Sequence, residues 1–466
     1  EAVTKLLAVT MGEWQDAGVR REGAMGFIQG EGRTQGSLFP VTLEELIPCD
    51  HFCRVIDAFV ERLDMQGLGF VRAEAAETGR PGYDPRDLLK LYLYGYLQQI
   101  RSSRRLESEC QRNLELMWLL GRLCPDHKSI AEFRRMHGQA VTQAGAELVK
   151  LACSVGLIRG EWIALDGSKF RAASSVSSVQ ERAAVERYLA SMENADREDG
   201  PVLVNSAVGA ALEKLRRHAE AEAGFMKTAQ GMLPAYNVQI AVDAEHGLIV
   251  AQQVIDEPND TRSLLPMAEA AQQAVGQQDS TIKVVADAGY SNGEQAAACE
   301  SKGILPHVPA HRGVNTQGGG KLFDRTAFVY QENSNTMLCP AGHTLRSNGR
   351  NRRAVIYLAK ATVCGACVLK PQCTLGPRRS VKRHVHEGVL QRMQQRATTA
   401  AMRLRRCTVE RCFAFLKYGI FGHPRFILRG LQGTRTEISL AVMAYNLKRM
   451  FKVIGGKTLR SALAMA

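Results

Sequence analysis

The chain has 466 residues, a net charge of +13 and 45% apolar side chains, which is enough for two or three domains with real cores. No apolar run is long enough to cross a membrane, and no opening stretch combines a basic region, an apolar core and a cleavage site, so neither membrane insertion nor export is expected. The charge is uneven: from Gly376 to the end there are 19 Lys and Arg against 3 Asp and Glu, whereas the first 375 residues hold 41 against 44, an asymmetry that points to a polyanion met mainly by the C-terminal part, most simply nucleic acid.

Residues 1–24 show no strong period, and GFIQGEGRTQGSLFPVTLEELIP after Met25 reads more like a protein beginning. Residues 1–41 are therefore expected to be a poorly ordered leader, its first part upstream readthrough or a mis-set start. From Thr42 to Gly156 the pattern is helical: Phe52, Val55, Ile56, Phe59, Val60 and Leu63 recur at helical spacing. Asp84 before Pro85 predicts a helix start, since Asp caps and Pro fits the first turn, and DLLKLYLYGYLQQI follows. A basic junction at Arg101, Arg104 and Arg105 leads to ESECQRNLELMWLLGRL and SIAEFRRMHGQAV, with Ser129 as the expected cap and Asp126 and His127 read as helix-start structure. Short helices with basic joints suit DNA binding or dimerisation and plain bundle packing equally.

At Leu157 the texture changes. Trp162 to Asp166 reads as a short strand ending on an acid, residues 174–232 as a helical insertion, and Tyr236–Asp243 and Gly247–Ile255 as two strands joined by a turn. A helix over Leu264–Val275, a strand over Ile282–Asp287 again ending on an acid, a helix over Gly293–Lys302 and a strand over Ile304–Pro309 complete a mixed α/β order. Residues 310–385 are Gly-rich and polar with short β-like runs, and helices return after them.

Three acids stand out. Asp166 and Asp287 each sit at a strand end, where α/β sheets place functional groups. If the strands are neighbours, the carboxylates converge, repel and need cations between them. Arg403 to Lys417, RLRRCTVERCFAFLK, reads as a helix whose only acid is Glu410, with Arg406 and Lys417 on its face. Alone it is an ordinary surface helix; with two partner carboxylates it completes a site for two divalent metals, and oxygen ligands suit Mg²⁺. Strand-end turns or caps are the plain alternative for either Asp, and Asp243, Asp256 and Asp260 compete on the same grounds.

The twelve cysteines are expected to be reduced in a cytosol. One group has a pattern: Cys364-x2-Cys367, then Cys373, with Cys339 in CPAGH. Four thiolates suit a structural Zn²⁺, with His343 as an alternative ligand and reduced buried thiols as the alternative reading. Cys407 and Cys412 read as core packing.

These motifs in this order resemble bacterial insertion-sequence transposases of the DDE type, in particular the eleven-eighty-two group. LDGSKFRA carries Asp166, YNVQIAVD is similar to the family's second strand, and VVADAGYSN carries Asp287. Arg406, Glu410 and Lys417 match the family's Tyr-x2-Arg-x3-Glu-x6-Lys signature, with Arg403 where Tyr is expected. DHFCRVIDAFV, GRPGYDPRDLLKLYLYG, RSSRRLE and PDHKSIAEFRR resemble the family's N-terminal domain. The resemblance runs from about Met25 to Phe451. It implies a ribonuclease H-like mixed-sheet core, with Asp166, Asp287 and Glu410 catalytic and holding two Mg²⁺, Mn²⁺ able to substitute. Arg403, Arg406, Lys417 and Arg425 would contact DNA. The implied reaction is hydrolysis at transposon ends followed by strand transfer into target DNA, by a homodimer or larger assembly on the bacterial nucleoid in the cytoplasm.

The expected architecture is thus α/β: leader 1–41, all-α domain 42–156, catalytic core 157–309, cysteine-bearing β insertion 310–385, and basic C-terminal helices 386–466. A structure-specific nuclease of the same fold and a DNA-binding relative without catalysis are the alternative functions. Retention of all three acids speaks against the second.

Overall fold

The computed structural model describes residues 41–74, 82–175, 177, 220, 222–276, 281–309, 322–351 and 354–465. The chain divides into Glu1–Leu46 and Ile47–Ala466. In the first unit the described element is the short helix Leu43–Leu46, and the rest of the expected leader, residues 1–40, lies outside the described residues. The second unit holds all the other elements.

Its first helix, Phe52–Glu61, buries Val55, Ile56, Phe59 and Val60, the stripe its spacing predicts. Pro85–Leu97 starts as expected: the Asp84 carboxylate accepts the Arg86 N–H at 2.8 Å, and Pro85 occupies the first turn. The segment read as one helix after the basic junction is two, Ser103–Cys110 and Leu114–Leu119. The break falls at Asn113, whose side chain accepts the N–H groups of Glu115 and Leu116 and so restarts the helix. Ser129 is not a cap. The helix His127–Met136 is capped by Asp126, which accepts from Lys128 and Ser129 N–H, while the Ser129 hydroxyl donates to the same carboxylate. Gly138–Ser154 completes this helical part.

The main sheet is mixed. Its strands are β1 (Trp162–Arg171), β2 (Gly224–Thr228), β3 (Gly231–Asp243), β4 (Ile249–Ile255), β5 (Ile282–Val285) and β6 (Ile304–His307), in the order β2-β3-β1-β5-β6 with β4 also on β3. β3 runs antiparallel to β1, β2 and β4, whereas β1, β5 and β6 are parallel. Two expectations are corrected. β1 does not end at Asp166 but continues to Arg171, because β3 stays in register with it from Ile163 opposite Asp243 to Arg171 opposite Ala235. The end of the expected 174–232 helical insertion is a β-hairpin, β2 and the start of β3, turned at Gly231 with φ +105°; residues 178–219 lie outside the described residues.

A second, antiparallel sheet follows: β7 (Val329–Gln331), β8 (Thr336–Leu338), β9 (Thr344–Arg350), β10 (Ala354–Leu358) and β11 (Ser380–His384), ordered β11-β10-β9-β8-β7. It closes over its own small core of Phe328, Met337, Leu345, Tyr357, Ala359 and Val381. Helices Glu387–Arg396, Thr399–Ala414, Gly430–Ile454 and Gly456–Met465 end the chain. The larger core is continuous from Cys53 through the main sheet to Leu463. At its centre Gly430–Ile454 packs on Gly138–Ser154, Pro85–Leu97 and β4, so the early helices and the late ones share one interior. Among the described residues no helix is long and apolar enough to cross a membrane.

Candidate active site

The parallel register of β1 and β5 sets Ala164 opposite Val285. Carried two residues on, it brings Asp166 level with Asp287. Asp287 lies just past β5 and caps the turn Ala288–Tyr290, accepting the Gly289 N–H at 2.9 Å. Asp166 accepts the Gly167 N–H at 2.9 Å. The two carboxylates meet on one cation: Arg405 Nη2 donates to Asp166 Oδ1 at 2.5 Å and to Asp287 Oδ2 at 3.3 Å. Arg405 and Asp166 are largely buried, at 15% and 18% exposure, while Asp287 at 46% opens to solvent. Burial pushes the Asp166 carboxyl up to about 6, with Arg405 pulling it back and Asp287 adding to the rise.

By strand alternation, Gly167 and Lys169 point to the face of β1 opposite that of Asp166. There Asp260 Oδ1 accepts from Asn237 Nδ2 at 2.7 Å and Gln239 Nε2 at 2.6 Å, with Lys169 Nζ at 3.7 Å. Tyr290 donates to the same Gln239 side chain. This buried network fixes β1, β3 and the turn after Asp287 from behind. Side-chain bulk is excluded at Gly167, where an added Cβ would lie 2.3 Å from Gln239 Nε2 and 2.6 Å from Asp260 Oδ1. Asp243 is structural, accepting the Gly160 and Glu245 N–H groups at 2.9 and 3.1 Å. Asp256 is exposed just past β4.

The Thr399–Ala414 helix reaches the carboxylates through Arg405, which sequence reasoning missed. Glu410 lies five residues on, roughly 140° around the helix, and is exposed, as are Arg403 and Arg406. Among the described residues Glu410 joins neither carboxylate, and the Arg406–Glu410 ion pair that the spacing allows does not form. Lys417 stands in a π-helical turn, Phe415–Ile420, that follows the helix. It is half-buried between the Phe170 and Phe413 rings, and burial lowers its pKa while the Asp166 charge opposes the fall. Arg425 is exposed and donates to the Ala173 carbonyl at 2.9 Å. A signal for Arg405 was present in the sequence: it lies four residues before Val409 and seven before Cys412, both fully buried, so it shares the inward face.

In the second sheet, Cys339, Cys364, Cys367 and Cys373 line one cavity with His343 and Leu345, and none is in a disulfide. The His343 N–H donates to Cys339 Sγ at 3.3 Å across a turn that Gly342 closes at φ +77°. Burial raises the Cys373 pKa, and the other three thiols add to that rise. Among the described residues no three His, Cys, Asp or Glu side chains close to metal-holding distance, here or at the Asp pair.

Two protein families match the chain. "Transposase domain (DUF772)" covers residues 41–136, the helical part. "Transposase DDE domain" covers residues 214–447, half of the chain, with Asp287, Arg405, Glu410 and Lys417 inside the match and Asp166 before it. No curated protein matches. With half its length in the DDE match and the helical transposase domain ahead of it, the chain belongs to the DDE transposases of insertion sequences.

Proposed function

We propose that this transposase cuts DNA at its element's ends and transfers the freed strand with divalent metal held by Asp166, Asp287 and Glu410. The observation that carries this reading is the single guanidinium shared by Asp166 and Asp287: two carboxylates level on neighbouring strands, already needing one cation between them. That pair fits Mg²⁺, or Mn²⁺ in its place, since both take carboxylate oxygens. Bound there, the metals would supply an activated water or 3′-hydroxyl and charge stabilisation at the phosphate. Arg405 holds the two acids together as their counter-ion. Glu410, on the next face of the same helix, is the third acid of the reading and would have to turn inward to join them. Arg403, Arg406, Lys417 and Arg425 are proposed to contact phosphate near the cleft. The sheet supports a ribonuclease H-like core through the order β4-β3-β1-β5-β6, antiparallel on one side of β1 and parallel on the other. Joining two ends calls for a homodimer or larger assembly.

Glu410→Gln is expected to abolish Mg²⁺-dependent cleavage of DNA carrying the element's ends and to leave end binding largely intact. Cleavage at the wild-type rate in the variant would remove Glu410 from the reading.

The four cysteines are proposed to hold one structural Zn²⁺ as thiolates, with His343 as the alternative fourth ligand. The support is their convergence on one cavity, all unpaired, with the knuckle-like turn at Cys339. Protein purified without chelator is expected to contain about one zinc per chain by elemental analysis. Cys364→Ser/Cys367→Ser should lose it. Zinc-free wild-type protein that keeps a folded second sheet would count against the site.

A further inference from the structure

We infer that a basic pocket at the C-terminal end of the Thr399–Ala414 helix, one to two turns beyond Arg405, is a second DNA-backbone site, which holds phosphodiester groups of duplex DNA away from the cutting centre. The pocket, about 200 Å³, lies between the C-terminal end of that helix, the Gly430–Ile454 helix and the β3–β4 turn. Arg411, Lys448, Arg449 and Lys452 line it together with Phe415 and Tyr445. No acid lines it, and among the described residues none of the four cations has a carboxylate partner. Four unpaired positive charges around one concavity repel one another, and an anion is what relieves that repulsion.

The walls are built and not draped. Tyr445 donates to the Gly247 carbonyl at 2.7 Å and meets Cys412 Sγ at 3.1 Å, both in the interior. Asn446 grips β4 through both backbone groups of Ile249, at 2.9 and 2.8 Å. Arg449 Nε donates to the His246 carbonyl and holds the turn. On this frame Lys448 and Lys452 are one turn apart and exposed, as is Arg411. Rigid walls with long cations at the rim suit a regularly spaced row of phosphates. The ring of Phe415 is covered: Lys448 Nζ lies 5.2 Å above it, and Tyr445 packs against it at 5.7 Å. Among the residues lining the pocket no open aromatic face is left on which unpaired bases would stack, which favours duplex over single-stranded DNA.

The test uses the full chain and fluorescence anisotropy over a salt series. The probes are a duplex of the element's end, a scrambled duplex of equal length and the corresponding single strand. Lys448→Glu/Lys452→Glu, both at exposed positions, is compared with Lys227→Glu/Lys360→Glu, which changes the net charge equally at exposed positions elsewhere. Circular dichroism and a thermal melt confirm that both pairs are folded. The pocket pair is expected to weaken both duplexes about tenfold or more and to reduce the salt slope by about 2, one phosphate per lysine. The control pair should lower neither as far. Equal effects from the two pairs would overturn the site in favour of diffuse charge. A loss confined to the end sequence would overturn phosphate contact in favour of base reading, and a loss confined to the single strand would overturn the choice of duplex. Cleavage is not the readout, so failure of the metal reading leaves this result standing.

Discussion

Asp287→Asn is expected to reduce Mg²⁺-dependent cleavage of element-end DNA by about 10³-fold or more, because a metal-held charge at the phosphate is worth several kcal/mol in the transition state. The substitution separates chemistry from folding. Asn keeps the shape and the side-chain oxygen that accepts the Gly289 N–H, and Asn caps as well as Asp, so the turn Ala288–Tyr290 should persist. What is lost is one of the two negative charges that share Arg405. End binding, which depends on phosphate contacts over a wide surface, should be nearly unchanged. The measurement is single-turnover cleavage beside a mobility-shift titration, wild type against variant. A variant that cuts at the wild-type rate would remove Asp287 from the centre. Wild-type protein that binds ends but never cuts in Mg²⁺ or Mn²⁺ would favour a DNA-binding relative without catalysis.

Glu437→Ala should give the largest loss of stability among single changes outside the site, about 3–5 kcal/mol, the range for stripping one partner from a buried charge pair. Glu437 is fully buried in the Gly430–Ile454 helix. Its Oε2 accepts Arg101 Nη1 at 3.0 Å, and its Oε1 accepts the N–H groups of Ile427 and Leu428 at 2.8 and 2.6 Å. Arg101 also donates to the Phe421 and Arg425 carbonyls, and Arg134 donates to the Arg101 carbonyl at 3.1 Å. Burial raises the Glu437 pKa, and Arg134 and Arg101 oppose the rise. Alanine would leave a guanidinium and two backbone donors buried without their acceptor. This junction joins the basic hinge of the N-terminal helices to the segment that follows the catalytic-side helix, so its loss should loosen both. Urea unfolding followed by fluorescence reads the effect, with Glu437→Gln as the milder control. A midpoint shift no larger than that of an exposed substitution, within about 0.5 kcal/mol, would show that the network does not hold the halves together.

The sequence by itself determined the local pieces and the family. Helical spacing from Phe52 onward, the Asp84–Pro85 start, the apolar strands leading to Asp166 and Asp287, the cysteine spacing and the motif order that identified a DDE transposase are all local patterns, written within a few turns or one strand. Local pattern also has limits that show at particular residues. Asn113 broke one expected helix into two, and Asp126 took the cap assigned to Ser129, because short polar side chains compete for the same N–H groups. The 174–232 stretch looked helical by composition, yet its end is a hairpin: strand pairing depends on a partner, β3, that composition does not show. Tertiary structure alone decided that β1 runs past Asp166, since antiparallel pairing to β3 continues there. It alone gave one oxygen of Asp260 to Asn237 and Gln239, behind β1. It also chose Arg405 over Arg406 and Glu410 as the group that meets the two acids. Spacing places Arg406, Glu410 and Lys417 on one helix face, but the rotation of that helix against the sheet is set by burial of Val409, Cys412 and Leu416, and that rotation turns Arg405 inward.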